Sequence, residues 1–387
     1  MPTFYPPVPT RVDTLDLQSS AVNWLGMPAI EQQLREAHAA GLVEGVGSDV
    51  VTLTPGAVAS RGALRAFVKV SHTTPGDVVG ILSPELEAFQ RPAWFGSEPR
   101  LLRLRGGGVL DDERIERATR VRIPCPIRRF PVRLADGPGG RTEEFLLSDV
   151  VLGDTSHWAS LLWTNLLAMG PWMWRALLGP PWWAPVRVMV AVIRARSVDP
   201  MVVAGKLNFR GKRVRIHPSA VVEGCWLGDG VSVGPGAVVR GSIVGGGSSV
   251  ESQADVSFSV LASETTVQRR GIVRYAVTHE GAMIGGGLQL GVVGPGVSLK
   301  HGVTLLDQNL GSPVQIRRDG QAFKAPLGLI GVGVGARTVV GAGVLVAPGR
   351  TLPPDLVIFP SGNSVVRRIP EDIVGPVEVV DGGLRPR

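Results

Sequence analysis

The chain of 387 residues contains few cysteines, few lysines and few aromatic residues. Its two cysteines, Cys125 and Cys225, are too few for a disulfide framework and form no Cys-x-x-Cys pair. We therefore expect two free thiols in a reducing cytoplasm. The net charge of +7 comes almost entirely from arginine, and the sequence has no nucleic-acid-binding motif. We predict no nucleic-acid partner, whereas an anionic substrate or membrane surface is compatible with the charge.

The N-terminal stretch MPTFYPPVPTRVDTLDL lacks the basic start and apolar core of a secretory signal. We therefore predict a cytoplasmic protein. Hydrophobic residues make up 44% of the chain and charged residues 19%, which indicates a folded protein with a large core.

Glycine is abundant, with 51 residues, and in the C-terminal half it accompanies a repeat of six residues. Aliphatic residues recur at this period in several runs, with a one-residue slip after Val239: Val221, Leu227, Val233, Val239; Val244, Val250, Val256; Leu261, Val267, Val273; Val293, Leu299, Leu305; and Val334, Val340, Val346, Leu352, Ile358. This period is typical of a parallel β-helix, in which short strands are joined by tight turns. A sandwich of short strands is the alternative, but it rarely keeps one phase over four hexapeptides. We expect triangular coils of about 18 residues that stack on one another.

A polar segment at residues 306–329 interrupts the repeat. An insertion of this size in a solenoid usually leaves one face, which is often the functional face. The segment FPSGNSVVRRIP, at 359–370, is expected to cover the open edge of the last coil.

The N-terminal region opens with a predicted amphipathic helix at residues 28–40, with Pro28 at its start and Gly41 at its end. Its predicted packing face carries Ile30, Leu34 and Ala37. A strand at Asp49–Leu53, a helix around 60–72 and a second strand at 77–83 follow. This order predicts a βαβ unit and a parallel sheet.

Residues 157–193 hold most of the nine tryptophans. The uncharged stretch 158–174 is short for a membrane span and contains Gly170-Pro171. We interpret the region as a helical connector between two domains. The alternatives are a peripheral membrane helix, with tryptophan at the interface and arginine nearby, and a true span.

Three stretches resemble sugar-nucleotide nucleotidyltransferases that carry a C-terminal left-handed β-helix, such as mannose-1-phosphate guanylyltransferases and bifunctional N-acetylglucosamine-1-phosphate uridylyltransferases. GMPAIE at 26–31, with Gly41-Leu42, resembles the GKPLIE…AGI helix of that family. Residues 216–245 are similar to the start of its β-helix, and SHWASLLWTNLL at 156–167 resembles the segment that leaves its first domain.

The resemblance implies an N-terminal nucleotidyltransferase-like (Rossmann-type) α/β domain at 1–155, degenerate in its catalytic motif, and a left-handed parallel β-helix at 206–370. The predicted Trp-rich helical connector occupies 156–205, the insertion 306–329 leaves the β-helix, and a tail spans 371–387. β-Helices of this kind pack face to face, so we expect a homotrimer, or else a dimer.

The departures from the family concern its phosphate site. Active members carry a Gly-rich loop with a lysine, and an aspartate that holds Mg²⁺. Here TRVDTLDLQSSAVNW, at 10–24, has no Gly-rich run, no lysine precedes Gly26, and Pro55-Gly56 stands where the aspartate is expected. Mg²⁺ would be needed only if nucleotidyl transfer were retained. By the resemblance, Gly26 and Pro28 would line a sugar or sugar-nucleotide site.

The β-helix offers a second possible reaction. Hexapeptide acyltransferases use a histidine to deprotonate the acceptor and bind coenzyme A thioesters between subunits. His279 lies beside Glu280, which could orient its ring, in a stretch that resembles the acetyltransferase half of the bifunctional enzymes. His301 precedes the insertion. By the same resemblance, three residues of the insertion are candidates for substrate binding: Asn309, Asp319 and Lys324. The His-x₄-His pair of a trimeric carbonic anhydrase site is absent, so we predict no metal centre.

Three functions follow as hypotheses. The first is a non-catalytic or regulatory nucleotidyltransferase-like hexapeptide-repeat protein of sugar-nucleotide or cell-envelope polysaccharide metabolism. The second is a coenzyme A-dependent acyltransferase acting through the β-helix. The third is an active sugar-1-phosphate nucleotidyltransferase. If the protein is an enzyme, it is a transferase in each case.

Overall fold

A computed structural model describes residues 2–12, 15–19, 21–45, 48–95, 98–106, 111–134, 141–180, 182–360, 377–380 and 383–386. The segment expected to cap the last coil, 359–370, lies mostly outside these residues, as does part of the tail 371–387. Seven α-helices occur in the described part of the chain: α1 Ala29–Ala39, α2 Arg61–Ser71, α3 Pro84–Gln90, α4 Asp112–Arg117, α5 Trp158–Leu178, α6 Ala184–Ala195 and α7 Pro200–Gly205.

The C-terminal half is a parallel β-solenoid with three faces, which confirms the predicted parallel β-helix of hexapeptide repeats. The first face, here named the covered face, consists of eight strands: Phe209–Arg210, Trp226–Leu227, Ile243–Val244, Val260–Leu261, Val277–Thr278, Val292–Val293, Gly333–Val334 and Thr351–Leu352. The second face consists of Arg215–Ile216, Ser232–Val233, Ser249–Val250, Thr266–Val267, Met283–Ile284, Ser298–Leu299, Val339–Val340 and Val357–Ile358. The third face consists of Val221–Glu223, Val238–Arg240, Asp255–Ser257, Ile272–Arg274, Gly287–Gln289, Thr304–Leu305 and Leu345–Val346.

A typical coil is one residue shorter than expected. Leu227 pairs with Val244, a step of 17 positions (244 minus 227) rather than about 18. The short corner follows the third face, where Gly241, Phe258 and Tyr275 have φ angles of 52°, 49° and 49°. A single left-handed residue therefore turns this corner, a conformation that glycine adopts most easily. The Phe258 and Tyr275 rings stack with centroids 5.4 Å apart.

The solenoid interior is filled by the aliphatic residues that the period identifies. From Leu227 to Val340 the predicted inward side chains lie in one buried cluster. The first coil differs from the prediction, because Val221 is exposed and its neighbour Val222 packs against the core instead.

The N-terminal sheet is mixed, so the expectation of a parallel Rossmann-type sheet is wrong in this respect. Its strand order is Thr119–Arg122, Val78–Ile81, Leu101–Arg105, Asp49–Leu53, Thr3–Phe4, Val43–Glu44. The predicted strands at 49–53 and 77–83 are both present, with α2 between them in the sequence. Leu101–Arg105 lies between these two strands and runs antiparallel to both.

The remaining described strands form two-stranded pairs: Arg11–Val12 with Leu17–Gln18, Asn23–Trp24 with Met27–Pro28, Ala57–Ala59 with Leu152–Asp154, Ile127–Leu134 with Arg141–Ser148, Gln315–Arg318 with Gln321–Lys324, and Val377–Val380 with Gly383–Pro386.

Helix α1 buries Ala37 of the predicted face, but most of its other buried positions are polar. Ile30 and Leu34 are only half-buried, whereas Gln33 and Glu36 are buried. The side chain of Gln33 accepts a hydrogen bond from the Ala59 amide at 2.8 Å and so satisfies a buried backbone group. The helix therefore docks in part through hydrogen bonds that hydrophobic periodicity does not reveal.

Helix α5 lies along the covered face and runs without interruption through Gly170-Pro171. The outward side chains of four strands on this face are buried in the same cluster as α5: Ile243, Val260, Val277 and Val292. The Trp158 indole N–H donates to Thr351 Oγ1 at 2.9 Å. Its ring lies so close to Gly333 that a Cβ there would come within 2.6 Å. None of the helices in the described ranges is long and apolar enough to cross a membrane.

We expect Trp158→Ala to lower the free energy of unfolding by about 3–5 kcal/mol, because it leaves a large cavity between α5 and the solenoid. Urea denaturation followed by circular dichroism measures the loss. Trp182→Ala is the matched control, since Trp182 is 72% exposed, and we expect it to change stability by less than about 0.5 kcal/mol. Equal losses in the two variants would contradict the packing of Trp158.

Candidate functional site

Within the expected phosphate-loop segment, 10–24, the described residues 10–12, 15–19 and 21–24 include several that are packed in the core. Trp24 and Val22 from this segment are buried. The cavity between Ser19 of this segment and Gly56 has a volume of about 20 Å³. A cavity of this size admits about one water molecule, whereas ligand pockets measure about 300–1,000 Å³.

The position where the resemblance places a metal-binding aspartate is a tight turn. Ala57 donates its amide to the Thr54 carbonyl at 3.0 Å, and Gly56 has φ +72°. A Cβ at Gly56 would approach Thr10 Oγ1 to 2.9 Å. A carboxylate side chain therefore has neither the backbone conformation nor the space that it needs here.

Gly26 and Pro28 were predicted to line a substrate site. Gly26 instead packs on the solenoid, where a Cβ at this position would lie 2.8 Å from Ile243 Cγ2. Pro28 is exposed and immediately precedes α1.

His279 is buried where the part of the chain before α5, here named the N-terminal unit, meets the covered face. Its Nε2 accepts a hydrogen bond from the Asn23 backbone amide at 3.0 Å. Its Nδ1 must then carry the proton, and donates to the Val293 carbonyl at 2.8 Å. Burial lowers the pKa of His279 to about 4, so the ring is neutral at physiological pH. Both ring nitrogens are occupied, and the Glu280 carboxylate is exposed rather than bonded to the ring.

Two buried asparagines complete this contact. Asn23 donates its side-chain amide to the Thr278 carbonyl at 2.7 Å. Asn165 of α5 accepts from the Leu25 amide at 2.7 Å and donates to the Asn23 carbonyl at 3.0 Å. The turn before α1, helix α5 and the solenoid therefore share one polar network inside an apolar interface, here named the asparagine–histidine latch (Asn23, Asn165 and His279).

The other predicted residues do not converge on His279. His301 follows a strand of the second face and is exposed. Asp319 and Lys324 are also exposed: Asp319 is at the turn of the insertion hairpin and Lys324 on its second strand. Asn309 lines a separate cleft.

The insertion hairpin folds back onto the N-terminal unit. Arg318 donates to Asp154 Oδ2 at 3.0 Å and to Ser156 Oγ at 2.8 Å, and Asp154 is buried. His157 is adjacent, and burial together with the positive charge of Arg318 lowers its pKa to about 4. Phe323 of the hairpin packs edge-on against Phe95 with ring centroids 6.4 Å apart.

Between the hairpin and the last coil lies a cleft of about 650 Å³, here named the hairpin cleft. Arg317 from the hairpin and Arg350 from the solenoid line it together with Asn309. Both arginines are exposed, and within the described ranges neither guanidinium has a hydrogen-bond partner. The cleft has the charge and the size to bind an anionic group. The sequence did not identify these arginines, because 40 basic residues give them no distinguishing pattern.

No cluster of three or more His, Cys, Asp or Glu side chains suited to a metal ion occurs among the residues that the structure describes.

We predict that His279 of the latch and His157 beside Arg318 make the stability depend on pH. His279 and His157 have folded pKa values of about 4, below the unfolded value of about 6.5. Their contribution is therefore complete above pH 6.5 and is lost as the pH falls toward 4, by up to about 3 kcal/mol per histidine. His279→Asn should give a shallower fall in the free energy of unfolding between about pH 7 and about pH 4.5.

Urea denaturation at a series of pH values measures this slope. His301→Asn is the control, because His301 is exposed, and we expect it to keep the wild-type slope. A wild-type slope in His279→Asn would show that the buried ring does not contribute to the pH dependence.

Residues 208–295 match the model of a family described as GlmU-like, C-terminal hexapeptide. This segment covers the first coils of the solenoid and includes His279. No curated protein shows a significant match to the chain. The solenoid is thus similar to the GlmU-like C-terminal hexapeptide family over these residues.

Proposed function

We propose that the protein is a non-catalytic or regulatory nucleotidyltransferase-like hexapeptide-repeat protein of sugar-nucleotide or cell-envelope polysaccharide metabolism. The observation that carries the proposal is the 20 Å³ cavity between the 10–24 segment and Gly56. A nucleoside triphosphate cannot enter a space of this size.

The electrostatic requirements of phosphoryl transfer support the same proposal. The reaction depends on groups that neutralise phosphate charge, chiefly backbone N–H groups, a lysine and a bound metal ion. The 10–24 segment carries no lysine, and the turn at Gly56 leaves no room for a metal-binding carboxylate. The N-terminal unit would then act as a fixed cover on the solenoid.

In this proposal the solenoid is left-handed and associates as a homotrimer, or else as a dimer, and sugars or sugar nucleotides are the ligands. The match to a hexapeptide family and the three regular faces support this assembly. The N-terminal unit (1–155), connector (156–205), β-helix (206–370) and tail (371–387) remain the proposed domains.

We expect no nucleotidyl transfer from the purified full-length chain. With Mg²⁺, UTP or GTP and a sugar 1-phosphate, pyrophosphate release should equal the protein-free blank, and neither nucleotide should raise the melting temperature. An active uridylyltransferase assayed in parallel is the control. Pyrophosphate release together with stabilisation by the same nucleotide would overturn the proposal.

The hairpin cleft favours a second candidate, a coenzyme A-dependent acyltransferase. Arg317 and Arg350 would bind the phosphate groups of the thioester, with Asn309 as a further contact. His301 is the candidate base, since its ring is exposed whereas both nitrogens of His279 are occupied.

If the protein is such an acyltransferase, acetyl-coenzyme A at about 100 times its Kd should raise the melting temperature by about 3 °C. The double variant Arg317→Gln/Arg350→Gln should lose this shift, because it removes both positive charges from the cleft. Arg122→Gln, at an exposed arginine of the N-terminal sheet, should keep it. An unchanged shift in the double variant would exclude the hairpin cleft as the site, and the absence of a shift in the wild type would argue against the acyltransferase.

A further inference from the structure

Helix α6 turns its most apolar side toward solvent. Val186, Met189, Val190 and Ile193 are spaced as i, i+3, i+4 and i+7, which places them on one side of the helix. All four are exposed, and in α6 only Ala191 is buried. A helix on the surface of a globular protein normally packs such a stripe inward.

Two tryptophans extend this stripe at the N-terminal end of α6. Trp182 and Trp183 are exposed, and their ring centroids lie 5.3 Å apart. Trp174 at the end of α5 is also more than half exposed. Tryptophan is the side chain most typical of the boundary between water and lipid, because a large apolar ring carries one polar N–H.

The chain around this surface is strongly basic. Between residues 155 and 222 there is one acidic residue, Asp199, and there are nine basic ones: Arg175, Arg187, Arg194, Arg196, Lys206, Arg210, Lys212, Arg213 and Arg215. The side chains of Arg210, Lys212, Arg213 and Arg215 are exposed and, in the part of the chain that the structure describes, make no hydrogen bond or ion pair. The start of the solenoid therefore carries uncompensated positive charge, and the residues just before it, 206–208, line one groove with Val186 and Val190 of α6.

The length of α6 and the positive charge around it indicate what covers its apolar stripe. Twelve helical residues span about 18 Å, too short to cross the bilayer core of about 30 Å. A two-fold contact with a second copy would bring the same arginines against each other, which is unfavourable. An anionic bilayer complements both the apolar stripe and the charge.

We propose that α6 docks in the plane of an anionic lipid bilayer, with Val186, Met189, Val190 and Ile193 entering the interface beside Trp182 and Trp183. The arginines and lysines of α6 and the first coil contact the lipid phosphates. The protein thus attaches to the membrane peripherally, and the first coil is the part of the solenoid that contacts the lipid surface.

Flotation of the full-length chain with vesicles tests this proposal. Vesicles of phosphatidylcholine with about 30% phosphatidylglycerol are compared with pure phosphatidylcholine. Each is examined at about 0.1 M and about 0.5 M NaCl. We expect binding to the anionic vesicles that weakens, without disappearing, at the higher salt concentration.

Three variants separate the contribution of the apolar stripe to vesicle binding from that of the basic residues. Ile193→Glu should lower partitioning at least about tenfold, because it places a charge in the apolar stripe. Leu310→Glu is the matched control: Leu310 is 98% exposed on the insertion, and the variant should bind like the wild type. Arg194→Gln/Arg210→Gln should weaken binding mainly at low salt. All altered side chains are exposed, so circular dichroism should be unchanged.

Several outcomes would overturn the proposal. Absence of binding to anionic vesicles at low salt would do so directly. Equal binding by Ile193→Glu and the wild type would mean that the basic first coil adsorbs without α6. Self-association in analytical ultracentrifugation that Ile193→Glu abolishes, without vesicle binding, would assign the stripe to a second copy of the chain.

Discussion

The burial of one apolar face of the solenoid under helix α5 is the interaction on which the rest of the structure depends. A solenoid buries its inward side chains by stacking coils, and its outward side chains need a separate partner. On the covered face the outward residues Ile243, Val260, Val277 and Val292 are apolar, and α5 and the turn at 23–26 supply that partner. The N-terminal unit and the solenoid therefore share one core.

In this shared core, residues of types that are often catalytic have a structural role instead. His279 is held by two backbone groups inside the interface, where its neutral form is the stable one. Asp154 neutralises Arg318, so that the insertion is fixed to the N-terminal unit. The titratable groups at these contacts thus hold the parts of the chain together, whereas Arg317 and Arg350 line the hairpin cleft and take no part in them.

The sequence predicted the interior of the solenoid well and its exterior poorly. The six-residue repeat indicates which side chains point inward, because every strand contributes one inward aliphatic side chain. The sequence also contains the apolar residues that point outward on the covered face: Trp226, Ile243, Val260 and Val277 recur at steps of 17. This second repeat can be recognised only once the length of a coil is known.

The insertion hairpin had a local signal, because Asp319-Gly320 is a typical two-residue hairpin turn. The buried polar side of α1 had none, because its hydrogen bonds join residues distant in sequence.

The fit between α5 and the covered face has a consequence for how this solenoid can vary in length. Trp158 contacts the strand at Gly333, and Trp172 packs against Trp226, five strand steps away. Fourteen helical residues rise about 21 Å, and five strand-to-strand steps of a β-sheet measure about 24 Å. The helix segment and the row of strands beneath it therefore have similar lengths. Repeat proteins commonly gain or lose units by duplication or deletion. Here, one coil more or less between these contacts would change their separation by about 4.8 Å, so that α5 could no longer make both of them. The two contacts of α5 therefore fix the number of strands that lie between Trp226 and Gly333 on the covered face.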